Sequence, residues 1–175
     1  MHSGFSHLFD AAPERSFAPG APLFYTGDRV QQMALVRAGG VLLERVTRAG
    51  VRVVLQNAPP GQVVSEASAY SETYHCGAVA SATQGARLAF LPVAAFRAGL
   101  AADTATAEAW AAHLAHAVQA ARLRAELRSL RRVSDRLDAW LGERRALPER
   151  GQWHDLAAEL GVSPEALYRE LARRR

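Results

Sequence analysis

The stretch HDLAAELGVSPEALYRELAR, residues 154–173, decides the fold of the C-terminal part of the chain. Leu156 and Leu160 lie one turn apart on the apolar face of a first short helix, and Gly161 follows where a helix end favours a left-handed residue. Ser163, followed by proline, is a preferred N-cap for a second helix. The pattern predicts a helix-turn-helix, whose second helix commonly enters the major groove of DNA. A helical hairpin inside a bundle is the alternative.

The charge distribution agrees with a nucleic-acid partner. Residues 1–121 carry 8 Arg and 8 acidic residues, whereas residues 122–175 carry 13 Arg and 9 acidic residues and therefore the whole net charge of +4. The chain contains no Lys. A basic C-terminal part favours a polyanionic partner such as duplex DNA.

Several classes of protein are disfavoured. The single cysteine, Cys76, excludes an intramolecular disulfide framework. The N-terminal MHSGFSHLFD lacks the features of a signal peptide, and no run is long enough to span a membrane, so we expect a cytoplasmic protein without a membrane partner. We expect no enzyme, because no paired carboxylates, nucleophile elbow or phosphate-binding glycine loop is present.

Residues 17–98 read as β-structure, within an N-terminal domain predicted over residues 1–103. Short apolar runs alternate with turns, the spacing of a small barrel or sandwich. The turns are Pro19-Gly20, Gly27-Asp28, Gly39-Gly40, Ala49-Gly50, Pro60-Gly61 and Gln84-Gly85. The clearest strands are Met33 to Val36, Val41 to Val46, Val51 to Leu55 and Arg87 to Leu91.

Residues 104–130 are rich in Ala and predict one long helix. Its apolar stripe consists of Trp110, Leu114, Ala117 and Ala121, a spacing suited to packing against another helix. We expect this helix to pair with that of a second subunit. Packing wholly against its own β-domain is the alternative.

Residues 131–175 are predicted to form a helical domain. Val133, Leu137, Trp140 and Leu141 define one amphipathic helix, Arg144 to Gly151 a loop, and the helix-turn-helix follows.

This order of elements resembles that of the CRP/FNR transcription regulators over nearly the whole chain. The most specific pieces are PLFYTGD at 22–28, PPGQVVSEAS at 59–68, RLDAWL at 136–141 and the helix-turn-helix. The resemblance implies an α+β fold with a jelly-roll-like β-roll sensor, a long dimerisation helix and a C-terminal helix-turn-helix. It further implies a homodimer on a two-fold symmetric operator, with RNA polymerase as a candidate partner.

The resemblance also implies which residues contact DNA. Glu165 and Arg169 match the family's Glu-x-x-x-Arg pair, which reaches base edges; Arg can bond to guanine and Glu can accept from cytosine. Ser163 and Tyr168 complete the candidate set. Family members continue into a two-stranded wing, whereas this sequence stops at Arg173-Arg174-Arg175, so we expect a truncated or minimal domain. The three arginines then either contact phosphate or form a solvated tail.

Residues 65–77 match the family's effector cradle. Glu66 matches the Glu that holds a ribose hydroxyl in cyclic-nucleotide-binding relatives. Cys76 and Gly77 stand where those relatives have the Arg and Ser or Thr that bind the phosphate, so we expect no binding of cyclic AMP.

Tyr74, His75 and Cys76 form the candidate sensory site together with Glu66. An imidazole beside a thiol suggests a transition metal or haem iron, with His75 and Cys76 as ligands, and the family includes a haem-based sensor with its His in this loop. His113 and His116 share a helix face. Thiol redox sensing, a small organic effector and no ligand are the alternatives; a structural Cys is usually a buried apolar residue.

We therefore expect an effector-responsive, dimeric, DNA-binding regulator of transcription. The rival hypothesis is a β-roll sensor or scaffold that acts through protein contacts, because its helix-turn-helix is incomplete.

Overall fold

The computed structural model of the chain describes residues 4–50, 52–64, 66–143 and 146–174. Two compact units divide it, Met1–Ala115 and His116–Arg175. Val51, Ser65, Arg144, Arg145 and Arg175, which belong to predicted segments, lie outside the described residues. Among the residues described, no helix is both long and apolar enough to cross a membrane.

The described part of the first unit contains eight strands in two four-stranded antiparallel sheets. Their spatial orders are β1-β8-β3-β6 and β2-β7-β4-β5, so the predicted β-roll and the α+β class are confirmed. The strands are β1 (Glu14–Phe17), β2 (Pro22–Phe24), β3 (Gln32–Gly39), β4 (Val41–Val46), β5 (Arg52–Ala58), β6 (Val63–Val64), β7 (Gly77–Ala80) and β8 (Ala86–Pro92).

The core of the roll fills the space between the two sheets. Val36 on β3 and Leu88 on β8 meet Leu43 on β4 and Ala78 on β7 in one cluster of buried side chains. Cys76, directly before β7, belongs to the same cluster and is fully buried. The apolar alternation along the strands therefore places one face of each sheet toward the other.

A glycine pair closes one corner of the roll. Gly39 and Gly85 both have positive φ, at 71° and 66°. A Cβ atom added to Gly39 would lie 2.2 Å from the carbonyl oxygen of Gly85, and one added to Gly85 would lie 2.5 Å from the oxygen of Phe17. The backbones approach so closely that both positions require glycine.

Helices cover the outer side of the roll. A 3-10 turn (Ser6–Phe9), α1 (Val93–Ala102) and the start of α2 (Thr104–Ser129) supply a second core cluster. In it Phe5 meets Trp110 edge-to-face, with ring centroids 5.0 Å apart, and Phe96 meets Trp110 at 4.9 Å. The sequence analysis did not predict α1, because it assigned residues up to 98 to β-structure.

The long helix α2 is confirmed, but the N-terminal part of its predicted apolar stripe faces the β-roll of the same chain. Asp103 caps the start by accepting a hydrogen bond from the Thr106 amide at 2.9 Å. Trp110 is only 4% exposed and packs into its own β-roll unit, and Leu114 packs against the same cluster. Trp110 is therefore not a residue of a subunit interface, because the N-terminal aromatic residues already cover it.

The second unit is a small helical bundle. It contains the end of α2, then α3 (Val133–Gly142), α4 (Trp153–Leu160) and α5 (Pro164–Arg173). Leu137 and Trp140 of α3 are buried, as predicted. The predicted loop before α4 differs at its end, since Arg150–Gln152 form a short 3-10 helix.

Candidate functional site

The predicted helix-turn-helix consists of α4 and α5. Gly161 ends α4 with φ of 65°, and its amide donates to the carbonyl oxygen of Ala158 at 3.2 Å. Leu167 and Leu171 of α5 are buried against Leu156 and Leu160 of α4. The apolar faces of the two helices thus bury each other, and the opposite face of α5 remains outside.

The outer face of α5 presents the residues predicted to contact DNA. Glu165, Tyr168, Arg169 and Ala172 are all exposed, at the i, i+3, i+4, i+7 spacing of one helix face. Arg169 forms no hydrogen bond or ion pair within the described chain. Its guanidinium is available to an external acceptor.

The start of α5 combines capping with negative charge. Ser163 accepts a hydrogen bond from the Ala166 amide at 3.2 Å, so its hydroxyl oxygen serves the helix itself. The pKa of Glu165 is lowered by hydrogen bonding to its own backbone amide, then to the Ser163 hydroxyl. A carboxylate at a helix N-terminus is stabilised by the helix dipole, so Glu165 is held ionised as a hydrogen-bond acceptor.

Arg174 is bound by other residues of the second unit and therefore does not form part of a solvated tail. Its Nε donates to Glu170 at 2.7 Å, and its Nη1 donates to Asp138 of α3 at 2.5 Å. Its Nη2 donates to the carbonyl oxygen of Ser134 at 3.1 Å. Arg173 also bonds to Glu170 but is largely exposed. Arg174 therefore binds the end of α5 to α3. Of the two terminal arginines that the structure describes, only Arg173 has a side chain exposed enough to contact a phosphate.

An open cavity of about 370 Å³ lies beside this face. Arg150, Trp153, Tyr168 and Ala172 line it. The rings of Trp153 and Tyr168 have centroids 5.4 Å apart, and the Trp153 indole N–H donates to the Pro148 carbonyl oxygen at 2.9 Å. Trp153 is thus fixed by its own hydrogen bond and packs against Tyr168, which limits the movement of the phenol ring.

The predicted effector cradle brings Glu66 close to Cys76. Burial, and then the negative charge of Glu66, raise the pKa of the Cys76 thiol to about 11, while the positive charge of Arg45 acts in the opposite direction. The thiol is therefore protonated near neutral pH. A protonated, buried thiol is a poor metal ligand and a slow redox sensor.

His75 and Tyr74 have different surroundings from Cys76. His75 is exposed, and its Nδ1 lies 3.4 Å from the hydroxyl of Ser68. Tyr74 is buried, stacks on Phe24 with centroids 3.8 Å apart, and donates its hydroxyl to the Gln32 carbonyl oxygen at 3.0 Å. Neighbours in sequence, the three residues thus alternate between the inside and the outside of the roll.

The predicted cradle ends at Cys76 and Gly77, and neither residue supplies a charge or a hydroxyl group for an anion. Cys76 offers a buried, uncharged thiol and Gly77 no side chain. Within the part of the chain that the structure describes, no three His, Cys, Asp or Glu side chains come together as a metal site. The His113 ring instead packs against the rings of Phe5 and Trp110.

Arg45 is a further candidate residue of the effector cradle, which the sequence analysis did not identify. It lies on β4, whose residue Glu44 pairs with Gly77 of β7. Its positive charge reaches Cys76, since it lowers the thiol pKa that Glu66 raises. The pairing of β4 with β7 brings the two together across more than thirty positions of chain, and no local spacing signals such a contact.

Comparisons with known proteins agree with this architecture. The sequence model of the cyclic nucleotide-binding domain matches residues 14–103. A comparison with curated proteins finds no significant match. Among solved structures, FixK2 from Bradyrhizobium japonicum is similar at 18% identity with a TM-score of 0.74, over 93% of this chain and 84% of that chain.

Two further structures show the same fold. The catabolite activator protein of Thermus thermophilus is 25% identical, with a TM-score of 0.57 over 96% of this chain and 80% of that one. The c-di-GMP-responsive global regulator CLP from Xanthomonas campestris is 19% identical, with a TM-score of 0.70 over 96% of this chain and 88% of that one.

Proposed function

The chain belongs to the cyclic nucleotide-binding domain family and has the fold of CRP/FNR transcription regulators, and on this basis we propose that it is a homodimeric, effector-responsive regulator that binds duplex DNA. The exposed face of α5 carries the proposal. Glu165 and Arg169 stand one turn apart on that face, while the opposite face is buried in the core of the second unit.

The proposed chemistry of recognition follows from these two side chains. A guanidinium can donate two parallel hydrogen bonds to guanine O6 and N7, and a carboxylate can accept from the amino group of cytosine. Tyr168 beside them meets a phosphate or a thymine methyl group, and Arg173 meets phosphate. Base contacts specify the sequence, whereas phosphate contacts position the protein.

The test is a binding titration on an operator selected from random duplexes, at two salt concentrations. Arg169→Ala should weaken operator binding by about 1–3 kcal/mol and relax the preference at one position of each half-site. Arg48→Ala is the matched control, because Arg48 is an exposed arginine of the first unit. Equal losses on operator and random DNA would make Arg169 a phosphate contact instead.

The same titration separates the rival hypothesis. If the wild-type chain binds no duplex at low salt, where phosphate contacts are strongest, the DNA-binding proposal is wrong. The β-roll scaffold that acts through protein contacts would then be the better hypothesis.

We propose that α2 forms the dimer through a revised apolar seam. The seam consists of residues spaced alternately four and three apart, the repeat of a two-stranded coiled coil: Ala107, Ala111, Leu114, Val118, Ala121 and Ala125. Val118 is 49% exposed within the protomer, and Ala111, Ala121 and Ala125 are exposed as well. Leu114 packs against its own roll but is only partly buried, unlike Trp110, so part of its side chain remains accessible. Small side chains at most of these positions let two such helices approach closely.

Val118→Arg tests the dimer without disturbing the protomer core, because Val118 lies outside the buried clusters. A charge buried in the seam should produce a monomer in sedimentation velocity. His116→Arg is the control, since His116 is exposed and lies roughly opposite Val118 at about 100° of rotation per residue. A wild-type monomer, or a dimer that survives Val118→Arg, would contradict the seam.

The effector is proposed to bind in the cradle and to differ from cyclic AMP. Calorimetry with cyclic AMP should detect no micromolar binding, because the phosphate would meet neither a guanidinium at Cys76 nor a hydroxyl at Gly77. Because Cys76 is buried in the roll and His75 is exposed, the two are tested separately. Cys76→Ser should abolish the response to an effector inside the roll and His75→Ala the response to one outside it, and each should leave the dimer intact. Unaltered regulation in both variants would place sensing elsewhere.

A further inference from the structure

The guanidinium of Arg136 lies where three segments of the second unit meet. Its Nε donates to the carbonyl oxygen of Leu130 at 2.8 Å, and its Nη2 donates to that of Arg128 at 3.1 Å. Its Nη1 donates to the carbonyl oxygens of Leu160 at 3.0 Å and Gly161 at 2.9 Å. A single side chain of α3 therefore binds four backbone oxygens of other segments.

These four oxygens belong to two helix ends. Arg128 is in the last turn of α2 and Leu130 directly follows that helix, whereas Leu160 is the last residue of α4 and Gly161 is its left-handed cap. Carbonyls at a helix C-terminus have no partner within the helix and carry the negative end of its dipole. A planar, charged fork with five N–H donors can satisfy both ends at once, which a lysine ammonium cannot.

A second contact ties the same two segments together. Arg128 donates from Nη2 to the carbonyl oxygen of Ala158 in α4 at 3.4 Å. Its Cγ would lie 3.0 Å from a Cβ atom added to Gly161, so the end of α2 is in close contact with the turn of the helix-turn-helix. Burial, and then the positive charge of Arg136, lower the pKa of Arg128. Two like charges are thus held near each other by the carbonyl oxygens around them.

We propose that Arg136 is a positioning residue that locks the helix-turn-helix turn to the end of α2 and thereby fixes the orientation of α5. The consequence for DNA rests on the proposed function. Two α5 helices of a dimer must reach half-sites about one turn of the duplex apart, so a change in their angle to α2 removes base contacts on one half-site. Nonspecific binding tolerates such a change, because it depends on charge alone.

The direct test measures a distance inside the second unit. Spin labels are attached to cysteines introduced as Glu126→Cys on α2 and Ala172→Cys on α5, both at exposed positions. Labelled chains are diluted with unlabelled chains so that only distances within one chain are measured. Cys76 stays in place, because its buried, protonated thiol reacts slowly at neutral pH.

Arg136→Gln and Arg136→Lys should both broaden the single narrow distance distribution of the parent protein. Arg132→Gln is the matched control, because it removes the same charge from an exposed residue at the start of α3 whose side chain does not cap that helix. The control should leave the distribution unchanged. A narrow distribution in both Arg136 variants would overturn the proposal.

The unlabelled variants are then titrated with operator and with random duplex. Both Arg136 variants should lose about tenfold or more in operator affinity, a difference of at least about 1.4 kcal/mol, with little change on random DNA. If circular dichroism shows that Arg136→Gln has lost helix, Arg136→Lys decides. Broadening without any DNA binding by the parent would support the lock and refute the proposed function, whereas unchanged operator affinity despite broadening would refute the role in positioning.

Discussion

Leu167 offers the sharpest test of how the helix-turn-helix is held together. Its side chain on α5 is fully buried in the cluster that contains Leu137, Trp153 and Leu156. Truncation of a fully buried leucine to alanine costs about 2–5 kcal/mol, because the surrounding core cannot collapse completely into the cavity. The unit His116–Arg175 has a free energy of unfolding of about 3–9 kcal/mol by the usual stability per residue. Leu167→Ala should therefore remove a large part of its stability.

Tryptophan fluorescence can follow each unit separately during urea unfolding. Trp110 lies in the first unit, whereas Trp140 and Trp153 lie in the second. In a Trp110→Phe background the emission reports the second unit, and in a Trp140→Phe, Trp153→Phe background it reports the first. Leu167→Ala should shift only the unfolding curve that reports the second unit. Leu167→Met should cost less than about 1.5 kcal/mol, since it conserves volume. A shift below about 0.5 kcal/mol, or equal shifts in both reporters, would refute the packing described above.

Three further outcomes are expected. The pKa of Cys76 is raised from 9.0 to about 11, chiefly by burial, so the stability linked to the protonated thiol is present below pH 9 and is lost as the pH rises through about 11. Thermal melts over that pH range should show this loss of stability, and Cys76→Ala should not show it. Gly161→Ala should destabilise the second unit by about 1–2 kcal/mol for the left-handed backbone alone, with a further cost from the contact with Arg128; Gly142→Ala, which meets open space, is the control and should not destabilise. Ser163→Ala should cost about 1 kcal/mol in a thermal melt through loss of the N-cap, and Ser163→Asp should restore it; equal stability of all three proteins would count against the cap.

The elements that local chemistry specifies were predictable from sequence. All six glycine turns used to divide the β-region contain a glycine with positive φ: Gly20, Gly27, Gly39, Gly50, Gly61 and Gly85. The turn between α4 and α5 likewise follows from a left-handed Gly161 and a capping Ser163. In most of these turns one residue and its immediate neighbours determine the conformation, so the turn is recognised without knowledge of distant contacts. At Gly39 and Gly85 the close approach of distant backbone adds a second requirement, which the local sequence does not show.

The features that depend on distant contacts could not be predicted from the sequence. Periodicity identifies Trp110 as part of an apolar face, but it does not show that Phe5 covers that face within the same unit. His75 and Cys76 read as a joint site because they are adjacent, yet one is exposed and the other is buried in the roll. Arg174 reads as part of a basic tail, and its bond to Asp138 spans 36 positions of chain.

The glycine pair at the corner of the roll has a consequence for variation in this chain. A methyl group at Gly39 or Gly85 would collide with backbone, and backbone cannot be replaced by a compensating second substitution elsewhere. The two codons are therefore not free to drift even together, unlike a pair of core side chains whose volumes can be exchanged. In a randomised library of this protein, selection for a folded roll should return glycine at both positions while neighbouring strand residues diversify.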